Sequence, residues 1–128
     1  MPRLALMLLT VSLLAASLVA VMPSATASSS RSGLRGLVTL APTRPVCIEG
    51  QPCSKPAARV LLVFRRDGSI VARVTTGMEG WYRVFLPPGS YAIVAPRYVH
   101  GSGVTPRTVR VTKGRVTRVD LEIDTGIQ

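Results

Sequence analysis

The stretch GWYRVFLPPGSYAI, residues 80–93, contains two short apolar segments separated by two prolines and a glycine. Pro87 restricts Leu86 to an extended conformation, because a residue that precedes proline avoids the α region. Pro88 and Gly89 suit the central positions of a type II turn, where the second residue needs a positive φ. The stretch therefore predicts a hairpin: a strand, a tight turn and a second strand.

The first of these strands has two different faces, because side chains alternate along a strand. One face carries Tyr82, Val84 and Leu86, and the other carries Trp81, Arg83 and Phe85. We expect one face to enter the core and the second to lie beneath the long loop at residues 97–106, since exposed aromatic patches are unusual. The alternative is an aromatic contact surface for a sugar polymer or a protein.

Seven short apolar runs fill the chain beyond residue 33. They are Leu34–Leu40, Arg59–Arg66, Ile70–Thr75, Trp81–Leu86, Tyr91–Ala95, Arg107–Thr112 and Val116–Ile123. Turn residues separate the runs, and β-branched residues dominate them without a sustained 3.6-residue period. This pattern predicts one all-β domain over residues 34–128, a seven-stranded Greek-key β-sandwich of the Ig-like kind.

The last two runs predict a second hairpin around Lys113–Arg115. A three-residue loop with glycine in the left-handed region keeps five apolar side chains on one inward face, namely Val109, Val111, Val119, Leu121 and Ile123. That register places Arg110 opposite Arg118 on the outer face, where like charges repel. We expect Asp120 and Glu122 to relieve the repulsion. The alternative is a bound anion, which would make the two arginines an anion contact.

Residues 1–27 have the three parts of a secretory signal peptide. Arg3 supplies the positive start, Leu4–Met22 is the apolar run, and Ala25–Ala27 forms a small-x-small cleavage site. We expect cleavage there, export, a mobile lead-in at residues 28–33, and no membrane span after cleavage. The alternative is an uncleaved anchor, because an apolar run of this length could just span a bilayer.

The chain contains two cysteines, Cys47 and Cys53. An even number in an exported chain predicts a disulfide bond, and Gly50 and Pro52 supply the bend that brings the two together. Free thiols and a metal site are the alternatives. Zinc prefers four cysteine or histidine ligands, however, and His100 is the only histidine.

The chain is strongly basic, with 16 lysine and arginine residues, 6 aspartate and glutamate residues, and a formal net charge of +10. Such a charge suits a polyanionic partner. All but two of the basic residues are arginine, however, and codon usage in a GC-rich genome produces the same bias. Export separates the protein from cytoplasmic DNA and RNA, so nucleic acid is not an expected partner.

The segments IVARVTTGMEG, GWYRVFLPPGSYAIV and VRVTKGRVTRVDLEI resemble the carboxypeptidase regulatory-like domains. The matching residues are Gly80, Tyr82, Leu86, Pro87, Pro88, Gly89 and Tyr91, and Gly77 stands where the family has aspartate. The resemblance covers about residues 34–127 and extends to small exported bacterial proteins of this domain type. It implies a transthyretin-like (prealbumin-like) sandwich with an accessory, binding or structural role.

Catalytic relatives of that fold need residues that this chain lacks. Hydroxyisourate hydrolases and the zinc site of metallocarboxypeptidases both require more than one histidine, and His100 lies in a Gly/Ser loop without a triad signature. We therefore expect no catalytic residue, no metal and no cofactor.

We expect an exported, non-catalytic module with a binding or structural role in the cell envelope or the extracellular medium. Its partner would be a cell-envelope polymer or another exported protein. One alternative is an electrostatic binder of anionic envelope polymers. In that case, salt would weaken the binding. Another is an enzyme of unrecognised type.

Overall fold

The structure, a computed structural model, describes residues 19–20 and 31–127. These residues contain ten β-strands and one 3₁₀ helix. The first five strands are β1 (Gly33–Ala41), β2 (Lys55–Pro56), β3 (Leu61–Arg66), β4 (Ser69–Thr75) and β5 (Trp81–Phe85). The others are β6 (Gly89–Val94), β7 (Val104–Thr105), β8 (Thr108–Val111), β9 (Val116–Arg118) and β10 (Leu121–Asp124), and the 3₁₀ helix is Pro96–Tyr98.

β1 is the central strand of the first sheet. Its N-terminal half lies between β5, which is antiparallel, and β9, which is parallel. Its C-terminal half lies between antiparallel β2 and parallel β10, and β7 pairs with the outer side of β10. The second sheet has the order β4-β3-β6-β8, with every pair antiparallel. Strands of both sheets contribute to one core, so the protein is an all-β sandwich.

Alternate residues of the strands build the core between the sheets. Tyr82 and Val84 of β5 are buried between exposed neighbours, and Tyr91 and Ile93 repeat this pattern in β6. Phe64 of β3 lies against Tyr82, with ring centroids 6.4 Å apart. Each fully buried side chain of this size contributes roughly 1.5–3 kcal/mol, so the predicted alternation is what holds the two sheets together.

The Leu86–Gly89 turn connects the two sheets and does not form a hairpin. The predicted strands and the positive φ of Gly89 are confirmed. β5 pairs with β1 in the first sheet, however, whereas β6 pairs with β3 and β8 in the second, so the predicted hairpin is wrong. Contacts to both sheets hold the turn, because Leu86 N–H donates to the Ser32 carbonyl and the Tyr91 hydroxyl donates to the Pro87 carbonyl.

The turn at Lys113–Arg115 also carries the chain from one sheet to the other. β8 pairs with β6 and β9 pairs with β1, so the second predicted hairpin is wrong as well. Gly114 has a φ of +75°, as expected. Its N–H donates to the Ser32 hydroxyl (2.8 Å), and Gly33 N–H donates to the Arg115 carbonyl (2.9 Å). These bonds attach the turn to the start of β1.

Every predicted run contains a strand, but the described residues form ten strands where seven were expected. The run Val116–Ile123 is divided into β9 and β10, because the chain leaves the ladder at Val119 and Asp120. The two-residue strands β2 and β7 lie in segments that were predicted to be loops. The seven-stranded Greek-key arrangement is therefore not confirmed, whereas the all-β sandwich is.

Most of the N-terminal segment lies outside the described residues. This applies to the predicted signal peptide, except for Val19 and Ala20, and to Ser28–Ser30 of the predicted lead-in. The rest of that lead-in contacts the sandwich, through Ser32 and through Gly33, where β1 begins. In the described segments, no helix is both long enough and apolar enough to cross a membrane.

Candidate binding surface

Trp81, Arg83 and Phe85 lie on the outer face of β5, at one side of the first sheet. Trp81 is 47% exposed and Phe85 is 46% exposed, so the expectation that the loop at residues 97–106 covers them is wrong. That loop lies at the opposite edge of the first sheet from β5, because its strand β7 pairs with β10. About half of each aromatic side chain is therefore accessible.

Three arginines form a row across the same outer face. Arg83 of β5 is opposite Arg35 of β1, and Arg35 is opposite Arg118 of β9. All three are exposed. Neighbouring strands lie about 4.8 Å apart, so the row spans about 10 Å between its outer backbones. This arginine row (Arg83, Arg35 and Arg118) concentrates positive charge beside the two rings, at positions where like charges repel.

Guanidinium groups flank both exposed rings. The Cζ atom of Arg118 lies 5.3 Å from the centroid of Trp81. The Cζ atoms of Arg31 and Arg83 lie 5.1 Å and 5.8 Å from the centroid of Phe85. These distances are typical of cation–π contacts. The arginine row, Arg31 and the two rings thus form one surface, which we call the arginine–aromatic face.

Asp120 supplies a carboxylate beside this face. Its Oδ1 accepts hydrogen bonds from Leu37 N–H (2.9 Å) and from Nε of Arg118 (3.2 Å). The backbone bond from Leu37, and then the bond from Arg118, hold the pKa of Asp120 below its usual value. Asp120 therefore pairs with Arg118, although the repulsion that it was expected to relieve, between Arg110 and Arg118, does not arise. Within the described residues, Arg35 and Arg83 have no ion pair.

Gly36 allows Asp120 to reach this position. Between β9 and β10 the Val119 N–H donates to the Arg35 carbonyl (2.8 Å), and the carboxylate of Asp120 then serves as the acceptor for Leu37. A Cβ atom at residue 36 would overlap the Val119 carbonyl and would lie 2.9 Å from Oδ1 of Asp120. Any side chain here would therefore push the β9–β10 segment away from β1.

Tyr82 supports the same segment from the core. Its hydroxyl donates a hydrogen bond to the Val119 carbonyl at 2.6 Å. Burial, and to a smaller extent the carboxylate of Asp120, raises the pKa of Tyr82 well above its usual value, so the hydroxyl remains a donor even at a pH where an ordinary tyrosine ionises. β5, which carries the aromatic rings, is thereby tied to the segment that carries Arg118 and Asp120.

The arginine–aromatic face suits an anionic ligand that also has flat apolar surfaces. Guanidinium groups offer paired N–H donors to the oxygens of carboxylate, sulfate or phosphate. Exposed aromatic rings stack on the apolar faces of sugars. Trp81 and Phe85 are four residues apart on one strand, which separates their Cα atoms by about 13 Å, with Arg83 midway. The face therefore offers two stacking rings with a cation between them.

Arg110 lies on the other sheet, so the predicted pairing of Arg110 with Arg118 is wrong. β8 places Arg110 opposite Ser90 in the second sheet, because the chain crosses between the sheets after Val111. The partner that sequence reasoning missed is Arg35. Alternation along Leu34–Leu40 would place Arg35 on the outer face, but no local signal shows which strands flank it.

Cys47 and Cys53 form the predicted disulfide bond, with Cα atoms 5.6 Å apart. The bond lies in the loop between β1 and β2. Other hydrogen bonds hold the same loop: Thr43 N–H donates to the Cys53 carbonyl (2.9 Å), and Nη1 of Arg44 donates to Oε1 of Gln51 (2.6 Å). A disulfide bond is consistent with a protein outside the cytoplasm.

His100 is exposed in the loop that follows the 3₁₀ helix. In residues 31–127, no three side chains of the His, Cys, Asp or Glu type lie close enough together to hold a metal ion. The feature that the fold assembles from distant residues is the arginine–aromatic face.

No protein-family model matches the chain, and no curated protein matches it. Two crystal structures of DUF3823 family proteins, from Bacteroides ovatus and Parabacteroides merdae, are similar to it, each with a TM-score of 0.45 and 18% sequence identity. The similarity covers 73% and 74% of this chain but 44% and 46% of those chains, so this chain spans less than half of their length. The carboxypeptidase regulatory-like resemblance stays a prediction.

Proposed function

We propose that this protein is an exported, non-catalytic module that binds an anionic carbohydrate polymer of the cell envelope on its arginine–aromatic face. The observation that carries the proposal is the arginine row, which begins at Arg83 between two half-exposed aromatic rings and extends across the same face of the sheet. The +10 charge of the whole chain has the sign that attracts such a polymer.

A bound anion would relieve the repulsion within the arginine row. Asp120 pairs with Arg118 and leaves Arg35 and Arg83 directly opposed. A carboxylate, sulfate or phosphate between these two receives charge-assisted hydrogen bonds from both, and such bonds are among the strong ones in proteins. The contact is exposed, so salt weakens it, because the Debye length is about 8 Å at physiological ionic strength.

The spacing of the rings favours a polymer over a single sugar. A ligand that stacks on both Trp81 and Phe85 must extend about 13 Å along β5. This is longer than one sugar ring and requires linked units. An acidic group near the middle of such a segment would meet Arg83, so we infer a linear chain whose acidic groups recur along its length.

The proposed location outside the cytoplasm rests on the signal-peptide pattern of residues 1–27 and on the Cys47–Cys53 bond. The proposal also includes a carboxypeptidase regulatory-like domain of the transthyretin-like kind. Its support is the Leu86–Gly89 motif with Tyr91, and the position of this motif in a sandwich whose first strand pairs in parallel with its last.

Trp81 is the only tryptophan in the chain, so its fluorescence reports on the proposed surface. We expect titration with polygalacturonate, a linear polymer with a carboxylate on every sugar, to change the Trp81 emission and to saturate. Neutral dextran should leave the emission unchanged. Dextran sulfate tests whether the anion must be a carboxylate. The apparent affinity should fall as salt is raised.

The variant Arg35→Gln/Arg83→Gln should weaken polygalacturonate binding about tenfold or more, since it removes two charge-assisted contacts. A matched control is Arg97→Gln/Arg110→Gln, which removes the same charge from exposed positions on the 3₁₀ helix and on β8. Equal weakening by both pairs would show that net charge alone drives binding. A Trp81 emission that responds to neither acidic polymer would overturn the proposed function.

A further inference from the structure

An apolar groove opens at the end of β6, away from the arginine–aromatic face. It has a volume of about 580 Å³ and is lined by residues that include Val94, Ala95, Tyr98, Val99, Val104 and Arg107. Small-molecule sites in proteins fall in the same range of size and are similarly apolar, with a few polar groups. Val94 is 38% exposed and Val99 is 68% exposed, so the apolar surface is accessible.

The groove exists because the strands that surround it diverge. β6 and β8 stay paired as far as Ala92 and Thr108, and Ile93 N–H still donates to the Arg107 carbonyl (2.9 Å). Beyond this point the chain after β6 turns into the 3₁₀ helix, while the chain before β8 belongs to the first sheet as β7. The second sheet thus ends with apolar side chains beside an opening.

Hydrogen bonds to Asp124 fix one wall of the groove. The Ser102 and Gly126 N–H groups donate to the two carboxylate oxygens of Asp124, each at 2.9 Å. The Asp124 N–H donates to the Gly103 carbonyl at 3.0 Å. These hydrogen bonds attach the wall at Ser102 and Gly103 to β10, so the groove is formed before any ligand binds. Preorganisation of this kind lowers the free-energy cost of ordering the site on binding.

Arg107 brings a positive charge to this apolar site. Its Nη2 donates to the Ser102 carbonyl at 2.7 Å, which places the guanidinium beside the fixed wall. In residues 31–127, no carboxylate lies within 4.0 Å of it. A guanidinium has five N–H donors, so donors remain for an anionic group of a ligand.

We propose that the apolar groove binds an aliphatic carboxylate, with its alkyl chain against Val94, Tyr98 and Val99 and its carboxylate on Arg107. The lining side chains are mainly aliphatic, and the cation at the groove complements a single negative head group. The site lies on other strands than the arginine–aromatic face and does not depend on the proposed function.

Calorimetric titration with decanoate, below the concentration at which it forms micelles, tests this site. We expect saturable binding at one site per chain. Decanol, which has the same alkyl chain without the charge, should bind more weakly, and decyltrimethylammonium should bind most weakly. The emission of Trp81 should not change, because that ring lies on β5, which does not line the groove.

Substitutions separate the charge from the apolar contacts. Arg107→Gln should weaken decanoate binding about tenfold or more and should leave decanol binding unchanged. Arg107→Lys keeps the positive charge and should retain part of the affinity for decanoate. It is therefore a control that separates loss of charge from a structural effect of Arg107→Gln. Val94→Asp should abolish the binding of both ligands. Arg97→Gln, with the same loss of charge on the neighbouring 3₁₀ helix, is the control and should bind normally.

Equal affinity for decanoate and decyltrimethylammonium would overturn the assignment, and so would the absence of saturable binding. Tighter binding of a short apolar peptide carboxylate, such as acetyl-Leu-Leu, would reject the aliphatic class in favour of a peptide C-terminus. Decanoate that changes the Trp81 emission and competes with polygalacturonate would place its site on the arginine–aromatic face, which also rejects the groove.

Discussion

Arg118 on β9 reaches across β1 to place its guanidinium 5.3 Å from the ring centroid of Trp81 on β5. Asp120 holds the same guanidinium through Nε at 3.2 Å. An exposed ring thus forms one unit with a cation and a carboxylate from a distant part of the chain. Because Asp120 is the acidic partner in this unit, its charge sets how strongly the face attracts an anion.

Asp120→Asn should strengthen binding of polygalacturonate at low salt, roughly two- to fivefold, because it removes a competing negative charge and frees Arg118. An asparagine oxygen can still accept the hydrogen bond from Leu37 N–H. Asp67→Asn is the matched control, since it makes the same charge change at the β3–β4 turn, where asparagine tolerates the positive φ. Titrations followed by Trp81 emission measure the difference. Weaker binding by Asp120→Asn would contradict the role given to this carboxylate.

Tyr82→Phe should lower the free energy of unfolding by about 1–2 kcal/mol, because the Val119 carbonyl loses its hydrogen-bond donor. Tyr98→Phe is the control, since the Tyr98 hydroxyl makes no hydrogen bond to the described residues. Urea unfolding at neutral pH measures both. A Tyr82→Phe variant as stable as the Tyr98→Phe variant would show that this hydrogen bond adds no net stability.

Alkaline pH should reduce the advantage of the wild-type protein over Tyr82→Phe. Burial raises the pKa of Tyr82 above the ordinary value of 10.0, so above pH 10 the unfolded chain loses this proton while the folded chain keeps it. Ionisation then favours the unfolded state, and the stability contributed below pH 10 is lost as the pH rises. Unfolding free energies of both proteins between pH 8 and roughly pH 11 test this. A constant difference over that range would be inconsistent with a raised pKa.

Acid pH should loosen the loop that forms one wall of the apolar groove. Hydrogen bonds from the Ser102 and Gly126 N–H groups hold the pKa of Asp124 below the ordinary value of 3.8. The stability that they contribute is present above that value and is lost as the pH falls through the lowered pKa. Amide hydrogen exchange at Ser102, corrected for intrinsic rates, should speed up below pH 4. In Asp124→Asn the exchange should be faster at all pH values and should lose this dependence.

Thr76 is buried between β3, β4 and the chain after β2, and its hydroxyl satisfies two backbone groups. It accepts a hydrogen bond from Val60 N–H (2.8 Å) and donates one to the Ala57 carbonyl. Thr76→Val keeps the shape but leaves both groups unpaired, which should cost roughly 2–4 kcal/mol. Thr76→Ser keeps the hydroxyl and should cost about 1 kcal/mol, mostly for the lost methyl group. Thermal or urea unfolding that ranks the two variants in the opposite order would refute this assignment.

Signals carried by neighbouring residues predicted local structure well. Asp67 and Gly68 both have positive φ values, as the turn of the β3–β4 hairpin requires. Of the inward positions predicted for the last two runs, Val109, Val111, Leu121 and Ile123 are buried, whereas Val119 is only partly buried. The disulfide bond between Cys47 and Cys53 also follows from short-range spacing. In each case the decisive contacts lie within a few residues or on alternate positions of one strand.

Two turns show that such local signals do not predict which strands pair. The glycines of Leu86–Gly89 and Lys113–Arg115 have the positive φ values that their sequences predict. Both turns cross between sheets, however: Ser32 hydrogen-bonds to each of them, and β5 and β9 pair with β1 instead of with β6 and β8. A turn sequence specifies a bend, whereas the hydrogen-bond partner of the next strand depends on distant residues.

Local sequence patterns were enough to predict the all-β class, the faces of the strands, the Cys47–Cys53 bond and a shared face of β5 for the two rings. The half-exposed state of Trp81 and Phe85 became known from the folded arrangement of the strands. The same arrangement shows that Arg35, not Arg110, lies in a row with Arg83 and Arg118. The two kinds of feature differ in the sequence separation of the residues that determine them. Alternation and turn propensity act along the chain, while the order of strands in a sheet sets which charges lie side by side.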